Sequence, residues 1–550
     1  MDEQPPTSPT TALDRRLEAV CTALGVLMLA LAFQVGTRAT EGLTWGAYVD
    51  FDRDASFARS VQEGHYGEDP LYRGESLWFT PLIFTFEAYA SRALGMDLHV
   101  FQARAGAYLN MLVPLAFWFM ARRLFGPVVG VAALIAHVCL MQGQEPGWAV
   151  STYSPWFLPM IFCQCLFYFS MPLLVRTFDS GSNRTCALMG AVAGILFLGH
   201  AAPAIILVVL IAVQVIGSVL GALREGNRRA AIRHMAHGAI AGSLFILVTL
   251  PLTWYVVGDY VLDQKNRVPS AFTYMPLSLR HGELFLFHNL NWVNMIALLG
   301  LVRLWRVPAT TVVRLLRSWM LVSVCLLVYA YLAVALGEKS GIKLPQSVPA
   351  FHFYFYLKAV LAVGFGHGLW FLLERAVHTV RPSNASWTAP IHVGIVSSIF
   401  LAVFPTYANR SDIAVVRHRA LERSANTAAA DMRDRLVELV PWDAVVLCDE
   451  ELTMEVLMAS ARKTVATASS MANPYVPPEP RMRARDELLS GLERAGTDIG
   501  VTLAAYDVAY LLVRTTDSVP ASARLRWFPH EVYANAGYAL YARQSTVPLP

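Results

Sequence analysis

Long apolar runs recur along the chain at 17–36, 98–121, 127–143, 153–175, 185–199, 203–223, 236–257, 284–303, 318–337, 352–373 and 389–407. A bilayer span needs about 20 mostly apolar residues, so the pattern predicts about eleven transmembrane helices. Two polar stretches break it. One lies between the first two runs, at 37–97, and the other follows residue 408.

Arginines fix the expected orientation. Arg15 and Arg16, Arg122 and Arg123, Arg176 and Arg184, Arg224 to Arg233, Arg303 to Arg317, and Arg375 with Arg381 all fall at one side of the predicted spans. The positive-inside rule makes that side cytoplasmic. With the N-terminus inside and an odd number of spans, the segment 37–97 and the tail share the outer face. The expected organisation is a cytoplasmic tail over 1–16, a transmembrane domain over 17–408 and an extracytoplasmic domain over 409–550. Residues 1–16 are polar and Pro-rich, and the first run carries no small-residue cleavage site, so it reads as a retained helix in a multi-pass plasma-membrane protein.

Composition agrees. The chain is 55% hydrophobic and 15% charged with a mean hydropathy of +0.44, values that exclude a soluble enzyme of this length. The net charge of +4 follows from the cytoplasmic arginines and gives no sign of a nucleic-acid partner. Of the seven cysteines only Cys448 lies in a large outer segment, which argues against a disulfide framework. Cys163 and Cys165 are two apart on a helix and point to different faces, so they read as packing residues.

The first outer segment reads as two short helices. Residues 51–63 place Phe51, Ala55, Ala58 and Gln62 along one side, with Gly64 as terminator. A turn-rich stretch, 67–76, follows. Residues 78–94 are apolar except for Glu87 and Arg92 and suit an interfacial helix. At the head of this segment stands Asp50-Phe51-Asp52-Arg53-Asp54, three alternating carboxylates that repel one another unless a cation meets them. That cluster is therefore where chemistry is expected. The tail alternates in α/β fashion: 444–448 and 508–513 read as buried strands, 450–461 and 481–495 as helices, and 531–543 as a last strand or hairpin.

Cations and histidines near the outer face supply candidates for binding an anion. Lys358 lies about two turns into the tenth span, and lysine is scarce here, with five against 39 arginines. His352 begins the same span, and His200 occupies the tight hairpin between the fifth and sixth. Glu145, in a short outer loop, would complete a metal site with Asp50 or Asp52 for a hard cation such as Mg²⁺, Mn²⁺ or Ca²⁺; Asp69 and Glu75 stand behind it.

An Asp at the end of the first span, then Ala55, Phe57-Ala58-Arg59, a Gly64-x-Tyr66 turn, Leu71-Tyr72 and the aromatic-Thr-Pro-Leu step at 79–82, resembles the first outer loop of the GT-C superfamily of membrane glycosyltransferases. Protein O-mannosyltransferases, lipid A aminoarabinose transferases and arabinofuranosyltransferases belong to it. The resemblance covers the membrane part in outline and residues 48–110 in motif. It implies a polytopic α-helical fold with a small extracytoplasmic α/β domain and a catalytic first loop. It also implies inverting transfer of a monosaccharide from a polyprenyl-phosphate donor to an outer acceptor, which could be a glycan, lipid, protein or peptide product. The family's adjacent Asp-Glu pair is here Asp50-Phe51-Asp52, so the base is open between the two, with register from Ala55 and Ala58 favouring Asp50. Arg104, early in the second span, matches a family Arg close to the catalytic loop and joins Lys358, His352 and His200 as a candidate for the donor phosphate.

Two other readings compete. A lipid or polymer transporter, or a scaffold, predicts internal repeats with matched broken helices and midplane charges, and neither is seen. A transferase using a lipid-diphosphate oligosaccharide is the third.

Overall fold

The computed structural model describes residues 12–141, 144–145, 153–271, 283, 286–346, 348–380, 387–494, 498–517 and 521–543. Helices come first: α1 (Ala12–Thr40), then α2 (Val49–Gln62) and α3 (Pro81–Ala93) in the outer segment, α4 (Leu98–Leu109), α5 (Leu112–Phe125) and α6 (Pro127–Ile135), which runs on into a π turn at Ala136–Leu140. Next are α7 (Pro159–Ser180), α8 (Asn183–Gly199), α9 (Ala201–Arg224), α10 (Arg228–Gly258), α11 (Trp292–Arg306), α12 (Thr311–Ser340), α13 (His352–Val380) and α14 (Thr388–Ala408).

Among the described residues seven helices are long and apolar enough to cross a membrane, against the eleven expected. The described parts of the other four predicted segments are helical but shorter or interrupted. The segment expected as one span over 98–121 is two helices. Pro114 has no N–H to return to Asn110, and the buried Asn110 amide instead donates to the carbonyls of Ser154 and Trp156 at 2.9 and 2.8 Å. The polar side chain at the break thereby ties two helices to the segment before α7.

Close helix crossings depend on small residues. Gly300 of α11 faces Gly364 and Gly368 of α13, and a Cβ at Gly300 would collide with the Gly364 carbonyl. Such contacts let backbones approach where lipid offers no hydrophobic drive for association.

Beyond α14, α15 (Ser411–Ala425) and α16 (Thr427–Leu439) lead into a five-stranded sheet of order β2-β1-β3-β5-β4. Its strands are β1 (Val445–Leu447), β2 (Lys463–Thr464), β3 (Val508–Arg514), β4 (His530–Ala534) and β5 (Tyr538–Ala542). β1 runs parallel to β2 and β3, and β5 antiparallel to β3 and β4. Separate apolar clusters cover its two faces, one under α16 and the other under α17 (Pro478–Glu493). The α/β tail and its terminal hairpin fall where strand and helix periodicity put them.

Gly300→Val should cost more than about 2 kcal/mol by forcing α11 from α13; thermal unfolding in detergent checks this, with Gly217→Val, at a position open to a Cβ, as the unaffected control.

Candidate active site

Phe51, Ala55 and Ala58 are buried on one face of α2, and Gln62 donates to the Ala88 carbonyl and to Ser91. That face packs on α3, and Gly64, at φ +89°, ends the helix as only glycine does easily. Asp52 points away from Asp50 and Asp54 because two residues on a helix subtend about 200°, while Asp50 and Asp54, four apart, share a side and both meet Arg53. Asp52 is buried and bound by Trp45 Nε1 and Arg423, both at 2.8 Å. Asp50 stays about one-third exposed and meets Arg53 Nη1 at 2.9 Å. Asp54 is buried and takes Arg53 Nε and Nη2 on a single oxygen, at 3.0 and 2.8 Å. Burial pushes the Asp54 carboxyl up to about 6, against the pull of Arg53, and Asp50 adds to the rise.

Arg53 lies over the Phe79 ring at 4.3 Å. Thr80, next in the aromatic-Thr-Pro-Leu step, donates to the Gly199 carbonyl and so brings the α8–α9 hairpin to the outer segment. His200 caps α9 there: its Nδ1 accepts from the Ala202 N–H, leaving the proton of the neutral ring on Nε2. Burial, helped by the Arg53 charge, holds the His200 ring down to about 3, so it is neutral. Its ring stands 4.7 Å from that of His352, whose Nδ1 donates to the Pro349 carbonyl. Two of the predicted phosphate ligands thus meet each other, within reach of the Arg53 charge.

The other predicted ligands lie elsewhere. Lys358 is buried and donates to the Gln144 carbonyl at 2.8 Å, close enough to Glu145 for the two charges to interact. Arg104 gives its Nε to the Leu43 carbonyl at 2.7 Å and holds the chain between α1 and α2. Asp50, Asp52 and Glu145 do not converge: Asp52 is turned to Arg423, Asp50 to Arg53, and Glu145 sits by Lys358 and Asn289. Among the described residues no three His, Cys, Asp or Glu side chains gather as a metal site would require. Asp69 is buried as the hub of the turn, accepting from the Leu71 and Tyr72 amides, Trp78 and Asn473.

The C-terminal domain closes over this segment. Ser424 accepts from the Thr44 and Trp45 amides, Arg417 donates to the Arg38, Ala39 and Glu41 carbonyls, and Arg462 pairs with Glu63 at 3.0 Å. Lys463 donates to the Asp69 carbonyl, and Trp442 to Glu68 while stacking on His65. The Thr464 amide donates to the Leu71 carbonyl. The loop at 473–478 docks here too, with Asn473 on Asp69 and Tyr475 stacked on Tyr260 at 4.8 Å.

Sequence reasoning passed over Arg53, Asp54, Glu87 and Arg423. Arg53 carried a signal, being the one cation within the acid cluster and three residues from Asp50. So did Glu87, a charge in an otherwise apolar helix. Arg423 carried none, since its meaning comes from a partner 371 residues away.

No family model matches the chain, and no curated protein does. Solved structures do. The oligosaccharyltransferase of Archaeoglobus fulgidus superposes at a TM-score of 0.51 with 12% identity, over 96% of this chain and 74% of its own. ArnT from Cupriavidus metallidurans, bound to undecaprenyl phosphate, gives 0.51 and 12% over 96% and 99%. The mycobacterial arabinofuranosyltransferase AftD gives 0.50 and 15% over 98% and 40%. The chain shares the fold of these membrane glycosyltransferases, the architecture that the resemblance implied.

Arg423→Ala should destabilise the protein by about 3 kcal/mol, because it leaves a buried carboxylate alone. Unfolding of the single variant, of Asp52→Asn and of the double variant completes a cycle in which the double loses less than the sum of the singles.

Proposed function

We propose that this chain is an inverting membrane glycosyltransferase that takes a monosaccharide from a polyprenyl-phosphate donor, with Asp50 as general base. One observation carries this: Asp50 is the carboxylate of the cluster that reaches solvent, and it stands on Arg53, whose charge reaches the His200–His352 pair. The fold supports the donor class, since structures sharing it hold undecaprenyl phosphate and, in the archaeal enzyme, dolichol-phosphate. With the arginine-rich loops cytoplasmic, the site opens to the outer side of the membrane, where nucleotide sugars are absent and a lipid must carry the activated sugar.

The acceptor oxygen attacks the anomeric carbon from the face opposite the phosphate. Its proton passes to Asp50, which lies within hydrogen-bond reach of an incoming hydroxyl. The anomeric C–O bond breaks, and its electron pair leaves on the polyprenyl phosphate, so configuration inverts. The His200 Nε2–H and the Arg53 charge stabilise that anion in a partly dry site, where fixed charges act more strongly than in water. Asp52 supports the segment from below through Trp45 and Arg423 and has no access to an acceptor. The likeness to an oligosaccharyltransferase gives a second reading, in which the donor is a lipid-diphosphate oligosaccharide.

Membranes expressing the protein, offered radiolabelled polyprenyl-phosphate sugars and lipid-diphosphate oligosaccharides with envelope acceptors, should move label from the former. Asp50→Asn at equal expression should lower transfer by about 10²–10⁴-fold. No transfer from any donor, or full activity in Asp50→Asn, would overturn the assignment. In the same assay His200→Ala should lower kcat/KM for the donor roughly tenfold, with kcat sharing in the loss, because the Nε2–H that meets the leaving phosphate is gone; unchanged kcat and KM would place the ring away from the phosphate.

A further inference from the structure

Beneath the cluster lies a second acidic pair that the mechanism above does not use. Glu87 projects from α3 against α2 and is fully buried, as is Asp54. Gln102 of α4 donates to Glu87 Oε2 at 2.8 Å, while Arg53 donates twice to Asp54 Oδ1. Each carboxyl keeps one oxygen, Glu87 Oε1 and Asp54 Oδ2, sealed from solvent without a donor. Two neighbouring buried acceptors without donors are costly, and one proton between them satisfies both. A charge count agrees. Arg53 already serves Asp50 and Asp54, and a third carboxylate would leave two uncompensated charges in a dry site.

We propose that Glu87 is a neutral acid whose O–H donates to Asp54 Oδ2, and that Asp54, so held, is a positioning residue that fixes the Arg53 fork and presents its Nη1 to Asp50. The inference rests on Asp50 as base. Asp54 takes two of the guanidinium donors on one side, so only one is turned to Asp50, whose Oδ1 alone it engages. The base is thereby oriented without being wholly neutralised.

Burial, with the Asp54 charge adding, lifts the Glu87 carboxyl well above its ordinary range, as the assignment requires; Arg53 is the only cation acting on it, and Gln102 faces it from α4. Asp54 meets Arg53, Asp50, Asp52 and Glu87 and titrates near 6. Geometry gives the order: Asp54 carries the Arg53 guanidinium and Glu87 the neutral Gln102 amide, so the shared proton rests on Glu87. A carboxyl raised on folding contributes stability fully below its unfolded value, and that contribution is lost as pH rises through the folded one. Wild type should therefore lose stability relative to Glu87→Gln as pH climbs from the ordinary carboxyl range towards the raised value of Glu87.

Three variants in the full-length protein test this. Gln at 87 still donates an N–H to Asp54, so Glu87→Gln should keep kcat within about twofold and lack the fall in stability with rising pH expected of wild type, whereas Glu87→Ala should lose tenfold or more. Asp54→Asn should lower kcat with donor KM nearly unchanged. Infrared spectra at neutral pH should show the carbonyl stretch of a protonated carboxyl in wild type and Asp54→Asn but not in Glu87→Gln. The spectra and the pH dependence of unfolding need no turnover, so they separate this inference from failure of the transferase reading. The inference is overturned if that band is absent from wild type or persists in Glu87→Gln, or if Glu87→Gln loses as much activity as Glu87→Ala.

Discussion

Asp52 cannot be solvated where it stands, and much of the outer segment is arranged around that fact. A carboxylate with no water needs a fixed cation and a fixed donor, and Arg423 and Trp45 supply them from the far end of the chain and from the turn before α2. The same Arg423 reaches the Gly46 carbonyl and lies over the Trp45 ring at 4.7 Å, with Arg433 on that ring at 4.8 Å. The first turn of α2 is thereby pinned, and with it the direction in which Asp50 and Arg53 leave the helix. A solvent-facing carboxylate is precise here because its neighbour two residues along is immobile.

The membrane side contributes a second restraint. Thr80 on Gly199 and the His200 cap tie the segment to the α8–α9 hairpin, and α13 brings His352 to the same point. Helices that cross through glycine leave little slack in that arrangement. The proposed site lies between the helix bundle and a folded domain, and the groups that meet there come from α2, the α8–α9 turn and the start of α13.

Local pattern was enough for much of this. Helical spacing put Phe51, Ala55 and Ala58 on one buried face, and strand-like runs located β1, β3 and the terminal hairpin. The break at Asn110 was missed because apolar residues continue on both sides of it; only the proline four residues later marked it. For the proposed site, the acid cluster could not say which acid would be buried, since that depends on Arg423 and on the packing of α3. Lys358 looked like a ligand because it was rare, but its carbonyl partner lies in a distant loop. Residues whose role is set by near neighbours were readable, whereas those set by contacts hundreds of positions away were not.

The seam between the first outer segment and the C-terminal domain also sets an order of assembly. Residues 41–76 leave the ribosome early, but the groups that fix them, Arg417, Arg423, Arg462, Lys463 and Asn473, are made only in the last quarter of synthesis. Until then Asp52 and Glu63 have no cation and the turn around Asp69 lacks its strand neighbour. A chain stopped after α14 would carry the helices of the bundle while residues 41–76 still lacked the partners that pin them.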